Sequence, residues 1–256
     1  MGKIEYQLKK KPQPIFNCFK AVCRVFFGKI KVVQLGDKVQ DKCLYVCNHA
    51  NKKGPLVYEM YLPAYCVRWG AGEMTENYKA RFLYLRDVLY IQKNGVKKGK
   101  ATIKALFEAA FSQFIYKGVK VFPTYHDERL VRTIKNSITA LENNIGVMIF
   151  PEDSNQGYFD KLTKFFEGFV LLMERYNKKT KEDIPVRPVY YHKKKKLIVV
   201  GESFYYSDFI NKGLNREQIA EFFCNQVNSL YLRIENGEFD KVKRKKMAKK
   251  LEEVEN

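Results

Sequence analysis

Short apolar runs rich in Val and aromatic residues alternate along this chain with longer stretches whose apolar positions recur at helical spacing, and that alternation leaves few folds open. The runs KIKVVQLGDKV, CLYVCNH, VKVFP, GVMIFPE, IPVRPVYYH and KKLIVVGESFYY read as strands, ended by turn residues such as Gly-Asp or by Asn-His. Helical patterns cover 78–93, 102–117, 128–144, 162–179 and 213–234. In the third of these Leu130, Ile134, Ile138 and Leu141 line one face. The last opens with Asn followed by Glu and Gln, the pattern of a capped start. Strands alternating with helices predict an α/β fold, a mostly parallel sheet flanked by helices.

A chain of 256 residues that is 46% hydrophobic can bury one substantial core. No internal repeat or linker divides it, so the spacing predicts one folded domain at 41–240, an amphipathic and basic segment at 1–40 and a basic tail at 241–256. Lys and Arg outnumber Asp and Glu by 47 to 28, a net charge of +19, which implies an anionic partner: nucleic acid, an anionic membrane face, or an acidic carrier or phosphorylated ligand. No helix-turn-helix, zinc-finger or RNA-recognition pattern accompanies the charge, and no nucleic acid is expected. The six cysteines form no C-x-x-C pair and read as reduced, small buried hydrophobes. Three histidines far apart, His49, His126 and His192, give no metal site, and the last two read as surface or loop residues.

Near the start there is a basic cluster but no uncharged core of the kind a secretory signal has. Ile15, Phe16, Phe19, Val22, Cys23, Phe26 and Phe27 recur at helical spacing, with Lys20, Arg24 and Lys29 outside the stripe, which predicts an N-terminal amphipathic helix over Ile15–Lys29. It is too short and too charged to span a bilayer. It either docks on the protein's own core or lies in a headgroup region.

Three strand ends carry candidate chemistry: NHANKKGP at 48–55, IFPEDSNQG at 149–157 and IPVRPVYY at 184–191. A histidine at the mouth of a strand can take the proton of an attacking hydroxyl, because its unperturbed pKa lies near neutrality. That residue is His49. Glu152, after Phe150 and Pro151, either caps the next helix or takes part in a site.

The order and content of these blocks resemble the glycerolipid acyltransferase family, whose bacterial members acylate 1-acylglycerol-3-phosphate; the likeness runs from about Leu44 to Tyr205. The resemblance implies transfer of a fatty acyl group from a coenzyme A or acyl-carrier-protein thioester to a lysophospholipid-like or other lipid acceptor. No cofactor beyond that co-substrate is implied. It implies a cytoplasmic protein held peripherally on the inner face of the cell membrane, an anionic surface. Carried over residue by residue, it makes His49 the general base and Glu152 its catalytic companion, with Asn48, Phe150, Pro151, Asp153 and Ser154 around the substrate. Arg129 or Arg132 would hold an acceptor phosphate.

The chain also departs from the family pattern. The acid five residues after the histidine is Gly54, no arginine stands near Thr124 and Tyr125, and Gly-Thr-Arg has become Asp153-Ser154-Asn155. Glu59 and Asp127 are candidates for the missing partner of His49, and a backbone carbonyl is another. The lost charges predict a changed acceptor without the glycerol phosphate. A relative that binds acyl chains or headgroups with weak or no catalysis is the alternative reading. Residues 77–116 are longer than this region of the family, which suggests an acyl-chain lid, membrane-contact helices or a structural insertion.

Overall fold

The computed structural model describes residues 12–125, 127–153 and 157–240. Its strands are β1 (Lys31–Gln34), β2 (Leu44–Cys47), β3 (Cys66–Ala71), β4 (Val121–Thr124), β5 (Gly146–Ile149), β6 (Val186–His192) and β7 (Leu197–Val200). They form one sheet in the order β1-β7-β6-β2-β5-β3-β4. β2 to β6 all run parallel, while β7 turns back antiparallel on β6 and carries β1 alongside it. The reversal occurs at the four-lysine turn, where Lys196 takes a left-handed φ of 48°.

Period-two alternation sorts side chains to the two faces even though both are buried. Leu44, Val46, Val147, Ile149, Val67 and Trp69 enter the larger core, under helices α5 (Leu130–Glu142), α6 (Gly168–Thr180) and α8 (Arg216–Glu235). Tyr45, Cys47, Met148, Val189 and Tyr191 point the other way, toward Val57, Tyr58 and Met60 of α2 (Gly54–Tyr61). Asn215 and Gln218 form the reciprocal cap that starts α8. The short α7 (Tyr206–Ile210) closes the chain between β7 and α8.

Residues 78–118 build a separate layer. α3 (Tyr78–Leu83) runs into a ten-residue π-helix, Tyr84–Lys93, which packs on α4 (Lys98–Gly118). Ala101, Ala105 and Ala109 recur every four residues and are completely buried, and their small size lets the π-helix approach closely with Leu85, Leu89 and Tyr90. Long π-helices are rare, and single π turns cluster at functional sites.

Several expectations need correction. The sequence pattern missed β3, because Arg68 interrupts its apolar run; the guanidinium is nonetheless buried, held by Glu59 at 2.7 Å and by the carbonyls of Cys66 and Val119. The helix expected over 162–179 begins only at Gly168. Its first stretch is drawn out by pairing with the Phe-Pro-Glu turn: Asp153 N–H donates to the Lys164 carbonyl and Phe166 N–H to the Pro151 carbonyl, at 3.0 and 2.8 Å. β1, grouped with the N-terminal segment from sequence, hydrogen-bonds into the sheet along β7. Residues 1–11 and the tail 241–256 lie outside the described residues.

The first helix, α1 (Pro14–Phe27), ties two of its charges to α2. Lys20 reaches Glu59 at 2.8 Å and the exposed Arg24 donates to the Met60 carbonyl at 2.7 Å, so residues outside the apolar stripe tie the helix down. Phe16 is buried, and Phe19 packs edge-on against Phe111 and Phe114 of α4. Ile15, Val22, Val25 and Phe26 are left facing outward, Val25 and Phe26 at 80% and 84% exposure. Of the cysteines Cys43, Cys47, Cys66 and Cys224 are buried, but Cys18 is exposed on this helix. Among the described residues no helix is long and apolar enough to cross a membrane.

Candidate functional site

β2 and β5 are adjacent and parallel, so the residues that follow them emerge side by side at the carboxyl edge of the sheet, where open α/β sheets bind ligands. His49 follows β2 and Glu152 follows β5. They touch: the His49 backbone N–H donates to Glu152 Oε2 at 3.0 Å. Glu152 also accepts the Phe159 N–H, and it is 7% exposed. Burial pushes its pKa up to about 7, against the pull of those two N–H groups and of Lys93.

The imidazole is held by the turn that follows it. Ala50 and Asn51 both take left-handed φ values, 45° and 61°, folding the chain back so that the Asn51 carbonyl lies 2.6 Å from His49 Nδ1. A carbonyl only accepts, so Nδ1 carries the hydrogen and Nε2 keeps a lone pair. Phe150 lies 5.2 Å from the ring by centroid and Tyr158 lies 4.9 Å away. His49 keeps some surface exposure as a residue, yet these rings desolvate the imidazole, and burial lowers its pKa to about 4. The ring is neutral at pH 7.

Gly54 explains the missing acid. The first turn of α2 abuts the turn after β2, and a Cβ at residue 54 would overlap the His49 carbonyl oxygen and stand 2.9 Å from its carbonyl carbon. No carboxylate fits at this position with this backbone.

The other sequence candidates separate. Phe150 and Pro151 lie at the site, Phe150 against His49 and the buried Pro151 anchoring the pairing with Phe166. Asp153 is placed beside Lys93, whose pKa burial lowers while Asp153 and Glu152 raise it. Asn48 is turned into the sheet: at 2% exposure its Oδ1 accepts from the Tyr58 hydroxyl and the Tyr191 N–H, and its Nδ2 donates to the Tyr191 carbonyl, which stitches β2 to β6. Glu59 is paired with Arg68 and Lys20. Asp127 and Arg129 pair with each other at 2.7 Å, Arg129 stacks 3.5 Å over Tyr125, and Arg132 is exposed on α5. They follow β4, three strands from β2, or about 14 Å at the usual strand spacing. His192 is buried, not at the surface, stacked on Tyr231 and bonded to Glu235 at 2.9 Å. Ser154 and His126 lie outside the described residues.

Sequence reading missed Lys93 and Tyr158. Tyr158 contacts the His49 ring on one side and lies 6.0 Å from the Lys93 ammonium on the other. It also lines a cavity of about 850 Å³, together with Ala50 and Asn51. The wall continues over Leu89 and Tyr90 of the π-helix to Ile103, Phe107 and Phe111 of α4. Only the unusual length of 77–116 hinted at this wall. Among the described residues no three His, Cys, Asp or Glu side chains are placed to hold a metal ion. Comparison with protein-family models, curated proteins and solved structures returns no match.

Proposed function

We propose that this chain transfers acyl groups from a thioester to a lipid-like acceptor, with His49 as the general base. The observation that carries the reading is a neutral imidazole, Nδ1 fixed by a carbonyl and Nε2 left with its lone pair, whose neighbours Ala50, Asn51 and Tyr158 line a cavity of about 850 Å³ with apolar residues in its wall. In the proposed step the acceptor O–H gives its proton to His49 Nε2 as its oxygen attacks the thioester carbonyl carbon. The tetrahedral intermediate then expels the thiolate, C–S breaking as C–O is kept, and the imidazolium returns the proton to sulfur. An ester and a free thiol leave. The Asn51 carbonyl takes the orienting part that the family gives to an acid, and it supplies no charge to steady the imidazolium.

The exposed apolar side of α1 and α4, with a net charge of +19, supports contact with an anionic membrane surface. A coenzyme A or acyl-carrier-protein donor is anionic as well. The proposed location is the cytoplasmic face of the cell membrane. Thiol release from acyl-coenzyme A in the presence of mixed lysolipid acceptors tests the reading, and His49→Ala is expected to lower it by about a hundredfold or more. A binding protein without turnover is the second reading, favoured by a pKa of about 4 that makes His49 a weaker base than an imidazole poised near 7. Lipid binding that survives His49→Ala, with no thiol release from either protein, would establish it.

A further inference from the structure

Residues 157–167 form a strap with no helix or regular strand in it, and only Gly157, Leu162 and Phe165 of the strap are buried. It carries Tyr158, whose ring lies 4.9 Å from that of His49, and Phe159, whose N–H donates to Glu152. Its far end is fixed by the pairing of Lys164 and Phe166 with the Phe-Pro-Glu turn. Between the two, the hold comes from β6 and α8. The Tyr190 hydroxyl donates to the Asp160 carbonyl at 2.6 Å. Asn228 Oδ1 accepts the Leu162 N–H at 2.8 Å and its Nδ2 donates to the Leu162 carbonyl at 2.9 Å, so one side-chain amide satisfies both backbone groups of a buried residue, as a neighbouring strand would.

Asn228 stands on the apolar side of α8, 7% exposed, one turn beyond Cys224 and beside the buried Val227. A polar side chain at such a place is costly unless it is bonded, and the bonds it makes go to the strap. The other contact of Nδ2, Cys224 Sγ at 3.8 Å, is with a weak acceptor. Burial of the Leu162 side chain keeps the strap down, whereas two bonds to a single residue also fix its register. A slip of one residue would move Tyr158 by about 3.3 Å and take its ring off the imidazole.

We propose that Asn228 is a positioning residue for His49: bonded to Leu162, it sets the register of the strap and so keeps Tyr158 over the imidazole and the Phe159 N–H on Glu152. Its bearing on acyl transfer rests on the reading of His49 as the base; the placement itself does not. The titratable groups around His49 are Tyr158 on the strap, Lys93 on the π-helix and Glu152 after β5. Lys93 and Glu152 stand on other elements, so loosening the strap acts on the ring by admitting water, which favours the charged imidazolium.

Nuclear magnetic resonance of protein labelled at histidine Cε1, titrated from pH 8 to 5 with the His49 signal assigned by its loss in His49→Ala, tests the proposal. With a pKa of about 4, wild-type His49 should stay almost wholly neutral down to pH 5. Asn228→Leu, which removes the amide at similar volume, should make the ring bind its proton at least about tenfold more tightly, leaving it at least about half protonated at pH 5. Tyr158→Ala should do the same, and the double variant should go no further than Tyr158→Ala alone, because both act through one ring. Tyr190→Phe, a milder loosening of the same strap, should shift His49 in the same direction and decides the matter if Asn228→Leu does not fold. Glu59→Gln, which weakens the fold at a distance from the strap, should leave His49 as in the wild type. A wild-type titration in Asn228→Leu, additive shifts in the double variant, or an equal shift in Glu59→Gln overturns the proposal. Absent thiol release from the wild type beside the expected titrations sinks only the acyl-transfer reading.

Discussion

The carbonyl oxygen of Asn51 stands 2.6 Å from Nδ1 of His49, and the same turn brings the His49 carbonyl against Cα of Gly54. The backbone therefore does two jobs at once: it selects the tautomer of the ring and closes off the place where an acid would sit. Gly54→Asp is expected to destabilise the fold by about 3 kcal/mol or more, since the overlap is with backbone that cannot step aside. On the proposed reading, acyl transfer per folded molecule should fall, not rise. Urea unfolding and thiol-release kinetics on the same preparation check both outcomes.

His49 and Glu152 give opposite pH dependences to stability. His49 has a native pKa of about 4 against 6.5 for an ordinary imidazole, so the unfolded chain binds that proton more readily, and stability is lost as pH falls from 6.5 to 4. Glu152 has a native pKa of about 7 against 4.5, so the folded state holds the proton more tightly and stability is lost as pH rises from 4.5 to 7. Glu152→Gln should abolish the second loss. Unfolding free energies measured in steps between pH 4.5 and 8 should then climb to a plateau in the variant, while the wild type declines over the upper half of the range.

Glu59 neutralises Arg68, which is 2% exposed, and Lys20, at 2.7 and 2.8 Å. Burial alone would raise the Glu59 pKa, but Arg68, Lys20 and Lys120 together hold it below the ordinary carboxylate value. Glu59→Gln leaves a buried guanidinium without its counter-charge and is expected to cost about 3–5 kcal/mol. Turnover per folded molecule should stay the same. A specific loss of turnover at unchanged stability would instead mean that Glu59 serves the histidine.

The outward side of α1 and α4 offers a direct test of membrane contact. Val25→Ser, Phe26→Ser and Leu106→Ser change residues that are 80%, 84% and 49% exposed. Each should move stability by no more than about 0.5 kcal/mol. Combined, they should weaken binding to vesicles containing anionic lipid by at least about tenfold. Binding of the parent chain should also weaken as salt rises. Vesicle sedimentation at two ionic strengths measures both.

Much of the framework was legible in the sequence because strand and helix periods are local. CLYVC and GVMI declare themselves as buried strands, and Asn215 with Gln218 declares a capped helix, from residues within a few positions of one another. β3 hid behind Arg68, since a charge in an apolar run reads as a break until its partner Glu59 is known to fold over it. The ties that Lys20 and Arg24 make from α1 were hidden for the same reason: both bond to α2, about forty residues away. At the site, His49 and Glu152 carried a signal in their strand-end motifs. Lys53, Lys104, Tyr158 and Lys193 carried none, because only the cavity brings them together.

The π-helix over Tyr84–Lys93 makes the wall of that cavity depend on residue count more than on residue type. A π turn holds an extra residue compared with an α turn, so deleting one residue inside the segment permits it to relax to the commoner winding. Every side chain beyond the deletion would then rotate by about 100° about the helix axis. Lys93 would swing away from Glu152 and Asp153, and Tyr90 away from Glu108. A single codon lost or gained here would reshape the chamber while leaving the sheet beneath it untouched.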